Sequence, residues 1–437
     1  MRIIILLIAL MFSGLSVAQQ KPSNGCTPLS REQMGGLYYA YHAPVIADGY
    51  KEAPAGYHPF YISHYGRHGS RWMTSDGAYE WIIRHFDDVD NLTPLGKDVR
   101  KRLQKVWRNA KGNGGGLTPL GAEQHRGIAD RMFHNYPEVL GGDICISARS
   151  STVGRCVSSM GAFVGELQML NPKLKITSES DNRYMDYLVY TSPEMKKLEA
   201  HNDVKPYVTT DRFISALFKN PDKVDGKMQL MTELHTVASD MQDVQLKVNF
   251  YDIFTDEEFR EIYDCNNLRM RLNNGDIVEN GGVAARCGIP LWNNIVATAA
   301  SIITTGSSSA TLRFGHDTIL YRLLSLLGMR LDHGMDDIIP MGANFQIIFY
   351  RNDAGDVIVK FLHNEAEVEL SVHTDMWPYY SWTDVKEYYK KRIERLEHIR
   401  QLNSINTMVG TASANTKSAG LFGNGSEEHG QTLPAVI

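Results

Sequence analysis

Pro59-Phe60-Tyr61-Ile62-Ser63-His64-Tyr65-Gly66-Arg67-His68-Gly69-Ser70-Arg71 is the stretch on which the reading of this chain turns. The short apolar run Pro59 to Ile62 has the character of a buried strand, and it leads into a loop where two arginines flank one histidine. Gly69 lets the backbone approach a ligand closely. Guanidinium groups match phosphate oxygens in fork geometry and stay charged at any relevant pH. Nearby cations also lower a histidine pKa, which keeps the imidazole neutral and able to attack phosphorus. An isolated Arg-His-Gly triplet is more often a solvated basic turn. The full Arg67-His68-Gly69-Ser70-Arg71 directly behind a strand tips the balance towards a phosphate site.

A second segment, Arg313-Phe314-Gly315-His316-Asp317-Thr318, answers the first. It lies between an expected strand, Ala310 to Phe314, and an expected helix, Thr318 to Leu327. His316 and Asp317 then stand at a helix N-terminus, where free N–H groups and the helix dipole favour a phosphate. Alone, Asp317 reads as easily as an N-cap and His316 as a turn residue. Beside His68, a second histidine can bind the phosphoryl group and a carboxylic acid can protonate the leaving alcohol.

Around these two segments the chain reads as an α/β protein. Lys21 to Tyr57 is an irregular arm, Gly121 to Tyr136 a helix and Asp143 to Ser147 a short strand. Val157 to Leu170 is a helix whose Val157, Met160, Phe163, Val164 and Leu167 recur near a 3.6 period. From 177 to 304 the chain turns rich in Lys, Glu, Asp and Met at helical spacing, which predicts a mostly helical cap insertion. Gln346 to Tyr350 and Val357 to Leu362 flank Asn352-Asp353-Ala354-Gly355, a β-hairpin with an Asx/Gly turn. Trp382 to Leu402 reads as a surface helix, and 403–437 as a flexible tail rich in Ser, Thr, Asn and Gly. The expectation is a mixed-sheet α/β core, 19–176 and 305–402, with helices on both faces and the 177–304 cap inserted into it. Ligands of such cores bind beyond the carboxyl ends of the strands, where both segments fall.

The 437 residues are 43% hydrophobic and 22% charged, which excludes wholesale disorder. A net charge of −5 argues against a nucleic-acid binder, although a local arginine cluster can still serve an anionic substrate. Arg2, the apolar run Ile3 to Phe12 and the small residues ending at Ala18 read as a signal peptide cut after Ala18. That run is too short to span a bilayer, and no later segment reads as apolar enough to do so. The mature chain is therefore expected to be secreted or periplasmic, without a membrane span. The five cysteines, Cys26, Cys145, Cys156, Cys265 and Cys287, match no zinc spacing. Cys265 with Cys287 is the favoured disulfide because one short segment holds both, but other pairings stay open and the odd count leaves at least one thiol.

In these residues the chain resembles the histidine acid phosphatases, in particular the branch of phytases and multiple inositol polyphosphate phosphatases. The family pattern R-H-G-x-R-x-P is met by Arg67 to Arg71, with Met73 where proline is usual. Leu117-Thr118-Pro119-Leu120-Gly121 resembles the L-T-x-x-G segment, Arg149 to Arg155 the run that supplies a later arginine, and His316-Asp317 the H-D motif. Arg155-Cys156-Val157-Ser158-Ser159 and Leu362-His363-Asn364-Glu365 are similar to segments of the inositol polyphosphate branch, which usually has H-A-E where this chain has His316-Asp317-Thr318. The resemblance implies that Arg67, Arg71, Arg155 and His316 bind the phosphoryl group. It implies His68 as nucleophile and Asp317 as acid, with no metal or cofactor. It also implies a phosphorylated small molecule as substrate, phytate and other inositol phosphates first. His363, His64 and His42 are read as structural or rim residues; Tyr38, His42, Arg183 and Lys205 as rim contacts.

Three other readings compete. A phosphoglycerate-mutase-like histidine phosphatase shares R-H-G but is generally smaller and lacks the insertion and the signal peptide. An exported, non-catalytic binder of phosphorylated ligands needs the arginines but neither His68 nor Asp317. A metal-dependent hydrolase is permitted by the fifteen histidines, yet no ligand spacing among them supports it.

Overall fold

The apolar run before Arg67 does not stop at Ile62. In the computed structural model, which describes residues 29–46, 49–202, 204–306, 309–329 and 338–419, it extends as β1 (His58–Arg67) and carries Arg67 within the strand. Among the described residues the other strands are β2 (Cys145–Ser150), β3 (Lys175–Ser180), β4 (Ser309–Gly315), β5 (Asn344–Arg351), β6 (Val357–His363), β7 (Ala366–Glu367) and β8 (Tyr379–Ser381). They form one sheet in the order β3-β2-β4-β1-β5-β6-β7, with β8 on β6. Strands β1 to β4 run parallel, while β5 and β6 join antiparallel, so the sheet is mixed as expected. The expected hairpin is β5–β6, with Gly355 at positive φ in its turn.

The helices are α1 (Asp76–Arg84), α2 (Pro94–Ala110), α3 (Pro119–Asn135), α4 (Pro137–Leu140), α5 (Gly154–Leu170), α6 (Met185–Leu188) and α7 (Pro193–His201). They continue as α8 (Asp211–Leu217), α9 (Lys227–Asp240), α10 (Asp256–Asn274), α11 (Val283–Thr305), α12 (Asp317–Leu327) and α13 (Trp382–Ala419). Strand residues alternate between two cores, as a period of two requires. Tyr61, Tyr65, Phe345, Ile347 and Phe349 pack with α11 and α12, while Ile62, Leu312, Phe314 and Ile348 pack with α3 and α5. Helices thus cover both faces of the sheet.

A third core holds Tyr79 and Ile82 of α1, Val99 and Leu103 of α2, Phe213 of α8, Leu230 and Leu234 of α9, and Phe259 of α10. This packing departs from a continuous cap at 177–304. Strand β3 belongs to the sheet up to Ser180, α11 packs against α12, and α1 and α2 join α8 to α10 from far earlier in the chain. Apolar stripes at helical spacing occur in both regions, and only burial decides which stripes share a core.

Several local expectations are corrected. The expected Asp143–Ser147 strand is β2, ending at Ser150, and Val157 of α5 faces solvent while the other four stripe residues are buried. The expected surface helix at Trp382 buries Trp382, Val385 and Tyr389, with the Trp382 ring against Trp292 and Phe349. The expected tail from 403 begins as helix: no proline interrupts 403–419, so α13 propagates to Ala419, and 420–437 lie outside the described residues. Helix α11 is long and apolar enough to cross a membrane by length and composition, contrary to expectation; its Leu291, Trp292, Ile295 and Ala299 account for that apolarity by packing in the sheet's core. Cys265 and Cys287 are not bonded to each other. They stand on α10 and α11, and their thiols donate to Val204 O and Ser192 Oγ respectively. The signal peptide and Cys26 lie outside the described residues.

Candidate active site

The arginine-histidine loop leaves the carboxyl end of β1 beside the parallel ends of β4 and β2. Backbone bonds hold it on both sides. Arg67 N–H donates to Ala343 O at 2.8 Å, His68 N–H to Gly315 O at 3.0 Å, and Gly342 N–H to His68 O at 2.9 Å. The N-terminus of α3 presses on the loop from a third side. Thr118 donates to Ser70 O through both N–H (2.9 Å) and Oγ1 (3.0 Å). A Cβ on Gly69 would stand 2.4 Å from Gly121 O, and one on Gly121 would stand 2.2 Å from Ser70 O. Glycine is needed at both positions for this close approach, which ties the Leu117–Gly121 segment to the loop.

His68 is 3% exposed, and its Nδ1 lies 2.9 Å from Gly69 O. A carbonyl only accepts, so Nδ1 carries the proton and the Nε2 lone pair is left for chemistry. Burial first, then the charges of Arg67 and Arg155, push the imidazole well below its ordinary pKa, against the Gly69 hydrogen bond. His68 is therefore neutral even in acid.

His316 faces it, with ring centroids 5.7 Å apart and planes at 73°. Its backbone is clamped by Tyr65, whose hydroxyl accepts from His316 N–H at 2.9 Å and lies 3.1 Å from His316 O. Ser151 Oγ is 3.2 Å from His316 Nε2. Burial, then Arg155, lowers this imidazole to about 4. Asp317 is the first residue of α12, with His316 as the N-cap, and its Oδ1 accepts from Thr318 N–H at 2.7 Å. Its Oδ2 is 3.0 Å from the guanidinium of Arg67, whose side chain is 1% exposed. Burial raises the Asp317 carboxyl, but Arg67, the Thr318 N–H, His316 and Arg71 outweigh it and hold the group below the usual carboxylate range.

Arg71 lies over the Tyr38 ring, 4.8 Å from its centroid, and Arg155 stands in the first turn of α5. The structure thus gathers Arg67, His68, Arg71, Arg155, His316 and Asp317 around one point. A cavity of about 380 Å³ opens beside Arg71 and Asp317, lined also by Tyr38, Glu233, Asn266 and Arg269. Of the expected rim residues, Tyr38 lines this cavity; His42, Arg183 and Lys205 do not. Arg183 instead pairs with Glu179. His64 is buried against Phe163 and Phe314. His363 ends β6, and the neighbouring Glu365 accepts from Arg131 of α3 at 2.9 and 2.8 Å and from the Tyr41 hydroxyl.

Sequence reasoning missed the groups that brace the loop. Gly69 N–H donates to Ser159 Oγ at 3.1 Å, Ser70 N–H to Gln124 Oε1 at 2.9 Å, and Ser70 Oγ to Asp243 Oδ1 at 2.5 Å. Ser159 lies one helical turn beyond Arg155, a spacing that could have singled it out. Gln124 and Asp243 carry no such signal.

No family model matches the chain, and no curated protein matches it in sequence. Solved structures do. The multiple inositol polyphosphate phosphatase of Bifidobacterium longum in complex with inositol hexasulfate aligns with a TM-score of 0.63 at 19% identity, covering 81% of this chain and 97% of that one. The phytase of D. castellii aligns with a TM-score of 0.60 at 16% identity, over 83% of this chain and 85% of that one. The phytase of Hafnia alvei aligns with a TM-score of 0.51 at 14% identity, over 79% of this chain and 99% of that one. The chain has the fold of these phosphatases.

Proposed function

We propose that this chain, built on the fold of the histidine acid phosphatases, hydrolyses phosphate monoesters through a phosphohistidine on His68. One observation carries the reading: Gly69 O engages His68 Nδ1, so the Nε2 lone pair stands free among three arginines and His316. The Nε2 lone pair attacks phosphorus as the bond to the ester oxygen breaks. Arg67, Arg71, Arg155 and His316 bear the charge on the phosphoryl oxygens. The departing alcohol takes its proton from Asp317. Water then attacks phosphorus, its proton passes to the Asp317 carboxylate, and the P–N bond breaks to free His68 and phosphate.

Asp317 is held as a carboxylate by Arg67 in the ligand-free site. A bound phosphoryl group competes for the Arg67 charge and adds its own, which raises the Asp317 pKa towards the acid form. An ester bound as its monoanion brings the proton with it.

Inositol phosphates are the substrate class we favour, supported by the fold shared with inositol polyphosphate phosphatase and phytase structures. A panel of phosphomonoesters that includes phytate, compared by kcat/KM, tests this. Preference for small aryl phosphates alone would remove inositol phosphates from the reading. The chemistry is tested by His68→Ala, which should abolish turnover while folding survives, and by activity that persists in EDTA. Residual turnover in His68→Ala, or a reversible loss on chelation, would exclude the phosphohistidine route, and a well-folded chain releasing no phosphate from any ester would leave a binder.

A further inference from the structure

Behind the phosphate-binding loop lie two carboxyl groups that the chemistry above does not use. Asp240 ends α9 and Asp243 follows one turn later; both are 0% exposed. Asp243 Oδ1 accepts from Ser70 Oγ at 2.5 Å, at the heart of the Arg67–Arg71 loop. Asp240 Oδ2 accepts from the Tyr79 hydroxyl at 3.1 Å, and that hydroxyl oxygen accepts from Met73 N–H at 3.0 Å. Met73 replaces the usual proline of the pattern, and a proline there would have no N–H to give. This chain therefore owns a relay from its loop through Tyr79 to Asp240. The remaining oxygens, Asp240 Oδ1 and Asp243 Oδ2, are buried and have no hydrogen-bond partner among the described residues.

We propose that Asp240 and Asp243 are positioning residues that form a proton-sharing pair and, through Ser70 and Arg71, set the anion affinity of the phosphoryl site. The proposal rests on that site being the one described above. Two ionised carboxylates in one dry space, each with an unpartnered oxygen, would be strongly unfavourable. Protons retained on the pair remove that penalty. The charged and titratable groups facing it are Arg67 and Arg71 from the loop, Tyr38 from the 3-10 turn Gln33–Tyr38, Tyr79 from α1 and Tyr251. Burial raises Asp240 above the usual carboxylate range despite Arg71, and burial together with Asp240 raises Asp243 as well. In the ligand-free site His68, His316 and Asp317 are shifted the other way, so there they do not titrate near neutrality. The pair is then neutral in acid, where the arginines act on phosphate undiminished, and gains negative charge as pH rises.

The test is calorimetric binding of inorganic sulfate to the full chain from about pH 5 to about pH 8, because sulfate is a dianion throughout. Affinity should fall about tenfold as the pair gains one negative charge behind the arginines. Binding midway through the fall should take up a proton, read from heats in two buffers of different ionisation enthalpy. In an Asp317→Asn background, which removes any proton taken up by Asp317 as the anion binds, the double variant Asp240→Asn with Asp243→Asn should bind sulfate with no such pH dependence and no proton uptake. Glu233→Gln, which removes a half-buried carboxyl on α9 that is not part of the pair, should keep both. A folded double variant with the wild-type pH profile would overturn the proposal. Absence of proton uptake in the wild type would do the same, whether or not the variant folds. No sulfate binding at any pH would instead overturn the phosphoryl-site reading on which the pair depends.

Discussion

Gly121→Ala perturbs the Arg67–Arg71 loop without touching any group proposed to meet substrate. The new methyl would stand 2.2 Å from Ser70 O, 2.8 Å from Ser70 N and 2.7 Å from Leu117 Cδ1. Two of those three atoms are backbone, so no side-chain rotation relieves the clash. Carbon contacts settle near about 3.5 Å, so α3 and the loop must part by more than about 1 Å. Overpacking of this kind costs about 1–3 kcal/mol. The Thr118 hydrogen bonds to Ser70 O stretch with it, at roughly 1 kcal/mol each. A shift of about 1 Å at a catalytic loop lowers turnover by on the order of 100-fold. Urea unfolding and initial rates with p-nitrophenyl phosphate measure both effects. Gly161→Ala in α5 is the control, since beyond its own helix backbone a Cβ there meets nothing within 4 Å among the described residues; it should keep full activity and gain up to about 1 kcal/mol. Wild-type stability and turnover in Gly121→Ala would show that the contact between α3 and the loop does not constrain the site.

Asp317→Asn should lower turnover of alkyl phosphates by about 10²- to 10⁴-fold, and of p-nitrophenyl phosphate far less, because nitrophenolate leaves without a proton. Equal losses on both ester classes would remove Asp317 from the role of acid. Acid stability offers a separate check through His64, whose pKa burial and then His125 lower to about 3. Below about pH 6.5 the unfolded chain protonates this ring while the folded chain does not, so stability falls on acidification by roughly 1.4 kcal/mol per pH unit until the folded pKa is reached. His64→Leu should therefore lose roughly 2–3 kcal/mol less than wild type between about pH 6.5 and pH 4.5, seen in urea midpoints. Parallel losses in the two proteins would refute the sign.

Most of the candidate site was legible because its parts are local. Arg67, His68 and Arg71 share five consecutive residues behind an apolar strand, and His316-Asp317 sits at a strand-to-helix junction whose periodicity changes within a few residues. The β5–β6 hairpin was legible for the same reason, since its turn residues dictate the reversal. Tertiary structure alone decided which elements meet. It set α1 and α2 against α8 to α10, closed Gly69 onto Gly121, kept Cys265 apart from Cys287, and carried Asp240 and Asp243 to the back of Ser70 and Arg71. Turn chemistry and hydrophobic period act over a handful of residues and can be read from them. The choice of partner depends on which apolar stripes bury each other across more than a hundred residues, and on which polar groups that burial leaves to satisfy one another.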